Sequence, residues 1–159
     1  MSDVTIGQIA PNFWLPKDDE TIVTPESLKG KTIILYFYPK NDTTGCTAQA
    51  IAFSALKPAF DALDVVVIGV SKDKLTSHKK FRQKYDLTIE LASDFERQTA
   101  ESFGVWVEKS MYGRRYMGME RSTFLINPQG CVVQIWRKVK VAGHAEEVFR
   151  VVQKMGEQS

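Results

Sequence analysis

The chain has 159 residues, of which 43% are hydrophobic and 25% charged, and it carries a net charge of +2. That balance excludes a disordered polar chain and offers no polybasic tract for nucleic acid or an anionic membrane. Two cysteines and two histidines, far apart in sequence, give neither a disulfide framework nor a metal-ligand spacing. A single domain over residues 1–159 is expected, large enough to bury roughly two thirds of its unfolded surface without a covalent staple.

The opening stretch, MSDVTIGQIAPNFWLPKDDE, has no basic region followed by an apolar core, so it does not read as a leader. Residues 32–39, TIILYFYP, form a continuous apolar, β-branched and aromatic run, as in a central strand buried on both faces. Residues 46–63 are Ala-rich and long enough for a helix, which Pro58 should kink or divide. VVVIGVS (65–71) is a second buried strand. Its strongly apolar part is far short of the ~20 residues that span a bilayer, so a cytoplasmic, membrane-free protein is expected.

KLTSHKKFRQKYD (74–86) reads as a surface helix with Leu75, His78 or Lys79, and Phe81-Arg82 leaning inward. IELASD (89–94) is a strand and ERQTAESFGV (96–105) a short helix. RSTFLIN (121–127) and CVVQIWR (131–137) form a hairpin around a PQG turn. Residues 143–156 close the chain as an amphipathic helix, with Val148, Val151, Val152 and Met155 on one face. This order requires a parallel, right-handed crossover followed by antiparallel strands. The expected fold class is α/β, a thioredoxin-like mixed central sheet with helices on both faces, and a fold alone does not give a function.

Between the first strand and its helix stands YPKNDTTGC (38–46). In open α/β sheets, sites form beyond the carboxyl ends of strands. Cys46 falls in the first helical turn, where amide groups lack intrahelical partners and the helix dipole is positive. Both favour a thiolate. Thr43 and Thr44 bring hydroxyls that can cap the helix or touch a polar ligand, Gly45 permits close approach, and Pro39 ends the strand and stiffens the turn. The same features suit an inert buried cysteine beside ordinary capping residues.

The exact residues go further. Pro39-x-x-x-Thr43-x-x-Cys46 resembles the active-site signature of peroxiredoxins, and YFYPKNDTTGCTAQA is similar to the peroxiredoxin Q, or bacterioferritin comigratory protein, group. The resemblance continues through GVSKDKLTSHKKF, SDFERQTAESFGVW, EKSMYGRRYMGMERSTFLIN and WRKVKVAGHAEEV, from Pro11 onward. It implies a thiol peroxidase acting on hydrogen peroxide and organic hydroperoxides, with Cys46 as nucleophile and Pro39, Thr43 and Arg121 as site residues. No cofactor is implied, and a monomer is expected.

A free thiol is only ~3% thiolate at neutral pH, so complete ionisation gains about 30-fold, roughly 2 kcal/mol. The larger part of catalysis must come from donors aimed at the leaving oxygen: Arg121, the Thr43 hydroxyl and the amides of Gly45 and Cys46. A preformed thiolate needs no general base, so His78 and His144 read as structural. Gln49, one turn after Cys46, is placed to orient the loop. Phe13, Trp14, Phe53 and Trp106 read as core or pocket wall, and MYGRRYMGMER (111–121) as either a surface loop or an apolar mouth.

The chain departs from the family where many members carry a second cysteine: Ile51 and Arg82 stand at those two places. Cys131, opening the return strand of the hairpin, should lie at the end far from Arg121. The expectation is therefore a one-cysteine peroxidase resolved by an external thiol, whether thioredoxin, glutaredoxin or glutathione. A thioredoxin-type oxidoreductase would need a Cys-x-x-Cys pair, and Thr43 occupies the first position. A non-turnover redox sensor on the same fold is the other alternative.

Overall fold

A computed structural model describes residues 4–158. In chain order the elements are β1 (Leu15–Pro16), β2 (Ile22–Val23), β3 (Thr32–Phe37), α1 (Thr44–Ala55), α2 (Lys57–Ala62), β4 (Val65–Ser71), α3 (Leu75–Tyr85) and β5 (Glu90–Ser93). Then follow α4 (Gln98–Ser102), β6 (Trp106–Met111), β7 (Arg114–Met119), β8 (Ser122–Ile126), β9 (Val132–Trp136) and α5 (His144–Gln158). The central sheet has the order β5-β4-β3-β8-β9. Strands β3, β4 and β5 run parallel, while β8 pairs antiparallel with β3 and with β9.

The period of two in β3 builds both halves of the core. Ile33, Leu35 and Phe37 face one apolar cluster; Ile34, Tyr36 and Tyr38 face the other. The two faces are covered unequally. Successive right-handed crossovers β3–β4–β5 put α1, α2 and α3 on one side, where Phe53, Phe60 and Phe81 join Val148 and Val152 of α5. The opposite side is closed by the short α4, through Ala100, and by the bases of two hairpins, through Leu15, Val23 and Met119.

The expected helix over 46–63 is divided, as Pro58 requires, but the break falls at Leu56 and the proline sits in the first turn of α2. That position suits a residue with no amide hydrogen to give. Gly69 is needed for a different reason. The Tyr36 ring lies over it from the neighbouring strand, and a Cβ there would stand 2.7 Å from the Tyr36 ring and hydroxyl.

The residues read as a loop or mouth over 111–121 form most of the β6–β7 hairpin, closed by Tyr112-Gly113, both at positive φ. Its outer part exposes Met111, Tyr112, Tyr116 and Met117. Trp14, expected in the core or a pocket wall, is 65% exposed. Of His78 and Lys79, either of which was expected to lean inward from the surface helix, His78 is on the inner side of α3 and fully buried, and Lys79 is exposed.

The chain on either side of β1 reaches both outer strands. Gly7 and Ala10 donate to the carbonyls of Val132 and Gly130, and Val132 donates back to Gln8. Residues 17 and 18 pair with β5 at Ala92 and Leu91.

Candidate active site

The site lies at the carboxyl end of β3. Tyr38 still pairs with the sheet, its amide donating to Val70. Pro39, half-buried, then ends the pairing, and the chain turns through Asp42 at φ 62° into α1. The first helical bond is from the Thr47 amide to the Thr43 carbonyl, 2.9 Å. The amides of Thr44, Gly45 and Cys46 therefore precede the intrahelical ladder.

The Thr43 hydroxyl does not cap them. It donates to the Lys40 carbonyl at 2.8 Å. This corrects the expectation of a capping or donating Thr43: with its proton directed at Lys40, the oxygen offers lone pairs to a ligand.

Arg121 comes from the other side, one residue before β8. Its backbone carbonyl is fixed by the Val139 amide at 2.9 Å. Its Nη2 donates to Cys46 Sγ at 3.4 Å and its Nη1 to Gln49 Oε1 at 2.7 Å. The guanidinium thus bridges the thiol and a side chain one helical turn later. Gly45 makes room for it, since a Cβ at that position would stand 3.1 Å from Arg121 Nη2. Cys46 itself is 2% exposed.

Three buried polar atoms in this corner have no partner among the described residues: the Tyr36 hydroxyl, Thr47 Oγ1 and Gln49 Nε2. Burial pushes the Tyr36 hydroxyl far up from its ordinary range, with Cys46 adding to the effect and Arg121 opposing it. Lys109 of β6 shares the same field. Its ammonium is lowered by burial and by Arg121, and supported by Cys46 and Glu120.

On the α3 side the turn is tied down by a complete network. Asn41 is the one buried residue between 40 and 44. Its amide donates to Asp73 Oδ2 at 2.9 Å, and its Nδ2 to Ser77 Oγ and His78 Nδ1, both at 3.0 Å. Its Oδ1 accepts from the Tyr38 hydroxyl at 2.6 Å. Outside this network, Asp42 accepts from Lys84 at 2.7 Å and from the Tyr85 hydroxyl. Sequence reasoning missed Asn41, because a lone asparagine in a polar turn looks like a solvated one.

The two places where a second cysteine was sought are both occupied otherwise. Ile51 is on the exposed side of α1. Arg82 grips Asp18 with two bonds, 2.5 Å from Nε and 3.0 Å from Nη2, and donates to the carbonyls of Leu87 and Ile89, each at 2.8 Å. Cys131 precedes Val132, which pairs with Ile126 at the far end of β8 from Arg121. Both cysteines are free.

A family model described as AhpC/TSA matches residues 6–135. The chain belongs to the AhpC/TSA family. Within it the likeness is to peroxiredoxins of the Bcp, or Q, group. Peroxiredoxin Bcp of Bacillus subtilis is 45% identical over 154 residues, covering 97% of this chain and 98% of that one. The structure of a Xylella fastidiosa PrxQ cysteine-to-serine mutant superposes with a TM-score of 0.92 at 37% identity, covering 98% and 99% of the two chains. A Xanthomonas campestris bacterioferritin comigratory protein, described for its alkyl peroxide reduction, matches at TM-score 0.86 and 41% identity over 90% and 91%. Two further Xanthomonas campestris peroxiredoxin Q structures each replace one cysteine with serine. Those two cysteines have the same sequence separation as Cys46 and Arg82. Among the described residues no helix is long and apolar enough to cross a membrane.

Proposed function

We propose that this peroxiredoxin is a one-cysteine peroxidase for hydrogen peroxide and organic hydroperoxides, regenerated by an external thiol. The observation that carries the reading is the Arg121 guanidinium, 3.4 Å from Cys46 Sγ and held there by Gln49.

The thiolate of Cys46 attacks the terminal oxygen of the hydroperoxide. An S–O bond forms, the O–O bond breaks, and the alkoxide or hydroxide leaves and takes a proton. Sulfur loses two electrons and the peroxide gains them, giving Cys46 sulfenic acid. Arg121 neutralises charge on sulfur and on the departing oxygen together. The amides of Gly45 and Cys46 add donors that need no rearrangement during the reaction. The Thr43 oxygen accepts a hydrogen bond from the hydroperoxide O–H and thereby orients the substrate, and Pro39 shields the pocket from water.

One molecule of thiol then condenses with the sulfenic acid, releasing water and forming a mixed disulfide. A second displaces Cys46. Arg82 and Ile51 leave no internal thiol at the places where relatives were expected to carry one, and Cys131 is at the wrong end of β8. Thioredoxin, glutaredoxin and glutathione are the candidate reductants for a monomer working in a reducing compartment.

Peroxide consumption measured with each reductant in excess tests the reading. Wild type is expected to turn over with at least one of them, and Cys46→Ser with none. Oxidation of Cys46 by one equivalent of peroxide without turnover in any thiol would make the chain a sensor. A dominant Cys46–Cys131 crosslink within one chain, with turnover lost in Cys131→Ser, would overturn one-cysteine resolution.

A further inference from the structure

The buried network beside the turn has a role that rests on the proposed peroxide chemistry and goes beyond it. His78 Nε2 lies 3.0 Å from the Ala92 carbonyl. A carbonyl only accepts, so Nε2 carries the proton and Nδ1 is an acceptor. That acceptor meets the Asn41 amide at 3.0 Å, with the Tyr38 hydroxyl 3.4 Å away. One of the partners that orient the Asn41 carboxamide, beside Ser77 Oγ and the Tyr38 hydroxyl, is therefore a buried ring that can take up a proton.

We propose that His78 and Asn41 are positioning residues for peroxide reduction, holding the 39–43 turn so that Thr43 and the amides at the start of α1 face the substrate beside Cys46. A second proton makes Nδ1 a donor aimed at another donor. The Asn41 carboxamide must then turn over, and its oxygen leaves the Tyr38 hydroxyl. The groups facing the ring have mixed signs. Burial lowers His78 from its ordinary value and Arg82 adds to this, while Asp73 from the β4–α3 loop, the Ala92 carbonyl and Asp18 before β2 oppose it. The turn is accordingly latched at neutral pH and released in acid, below the ordinary histidine range of about 6.5.

The test is stopped-flow oxidation of Cys46 by hydrogen peroxide across pH, with the thiolate fraction followed by absorbance in the same samples. Dividing rate by thiolate fraction removes the titration of Cys46 itself. In wild type the corrected rate should still fall in acid. His78→Asn places a non-titrating carboxamide oxygen near the Nδ1 position; whatever its neutral rate, the ratio of its corrected rates in acid and at neutral pH should lose the fall seen in wild type. Asn41→Ala, which leaves the ring in place, should lower the neutral rate about tenfold, the equivalent of one hydrogen bond of positioning energy. An acid limb in His78→Asn that overlays wild type would overturn the proposal. So would a neutral rate in Asn41→Ala equal to wild type. Failure of wild type to react with peroxide at any pH would instead refute the peroxidase reading.

Discussion

Two polar regions flank the same turn, and they are built on opposite plans. On the α3 side, Tyr38, Asn41, Asp73, Ser77 and His78 satisfy one another in the interior. Around Cys46 and the first turns of α1, the Tyr36 hydroxyl, Thr47 Oγ1 and Gln49 Nε2 are buried without a partner among the described residues. A buried polar atom left unmatched costs about 1–3 kcal/mol, so a fold keeps such atoms where a ligand or a reacting group will meet them. On the proposed reading, the complete network frames the turn and the incomplete one lies beside the reacting thiol.

The largest effect should come from the incomplete side. Arg121→Lys keeps the charge but loses the planar fork that reaches Cys46 and Gln49 together. The second-order rate with peroxide should fall about 100-fold or more, as when one preorganised donor is removed, while the thermal midpoint changes little. A rate loss no larger than the loss of thiolate would show that Arg121 acts only on the sulfur.

Next in size is a change beneath the site. Gly69→Ala puts a methyl 2.7 Å from the Tyr36 ring and hydroxyl, an overpacking that costs about 1–3 kcal/mol. Chemical denaturation should show it, and an unchanged midpoint would mean that the Tyr36 ring has room to move.

Acid should distinguish the two regions by stability. Burial depresses both His78 and His144, with Arg121 also lowering His144 and Glu147 opposing. The unfolded chain then takes up these protons first, so stability is full above about 6.5 and is lost as pH falls toward the folded values. Asp94 works the other way at lower pH, because burial raises its carboxyl and the folded chain protonates first. The thermal midpoint should drop between about pH 7.5 and pH 5.5, and drop less in His78→Asn. The smallest effect belongs to Tyr36→Phe. Removing an unpartnered hydroxyl should leave stability equal or slightly raised, by up to about 1 kcal/mol, and a clear loss would show that the hydroxyl has a ligand in solution.

Much of this was legible in the sequence, for reasons that differ by element. The continuous apolar runs 32–39 and 65–71 announce the sheet because both faces must be apolar. Cys46 in the first turn of α1, and Arg121 at the start of β8, follow from strand–helix order together with the family motif. The β6–β7 hairpin was hidden because VEKSMYGRRYMGM is largely solvent-exposed and lacks a regular apolar period. Its one signal, a two-residue turn ending in Gly113, is obscured by a tyrosine at φ 53°. The Arg82–Asp18 clamp and the polar partners of His78 were also out of reach, although an inward His78 or Lys79 was expected. Each depends on partners far away in the chain, and the surrounding residues are those of an ordinary solvated helix.

The chain on either side of β1 also protects the sheet as a whole. Open sheets end in strands whose free amides and carbonyls can recruit another chain. Here one stretch of backbone covers part of both borders, at β9 through residues 7–10 and at β5 through residues 17 and 18. A chain clipped before β1 would keep Cys46, Arg121 and the whole latch. It would nonetheless bare the rim of β9, so its first failing would be self-association rather than loss of chemistry.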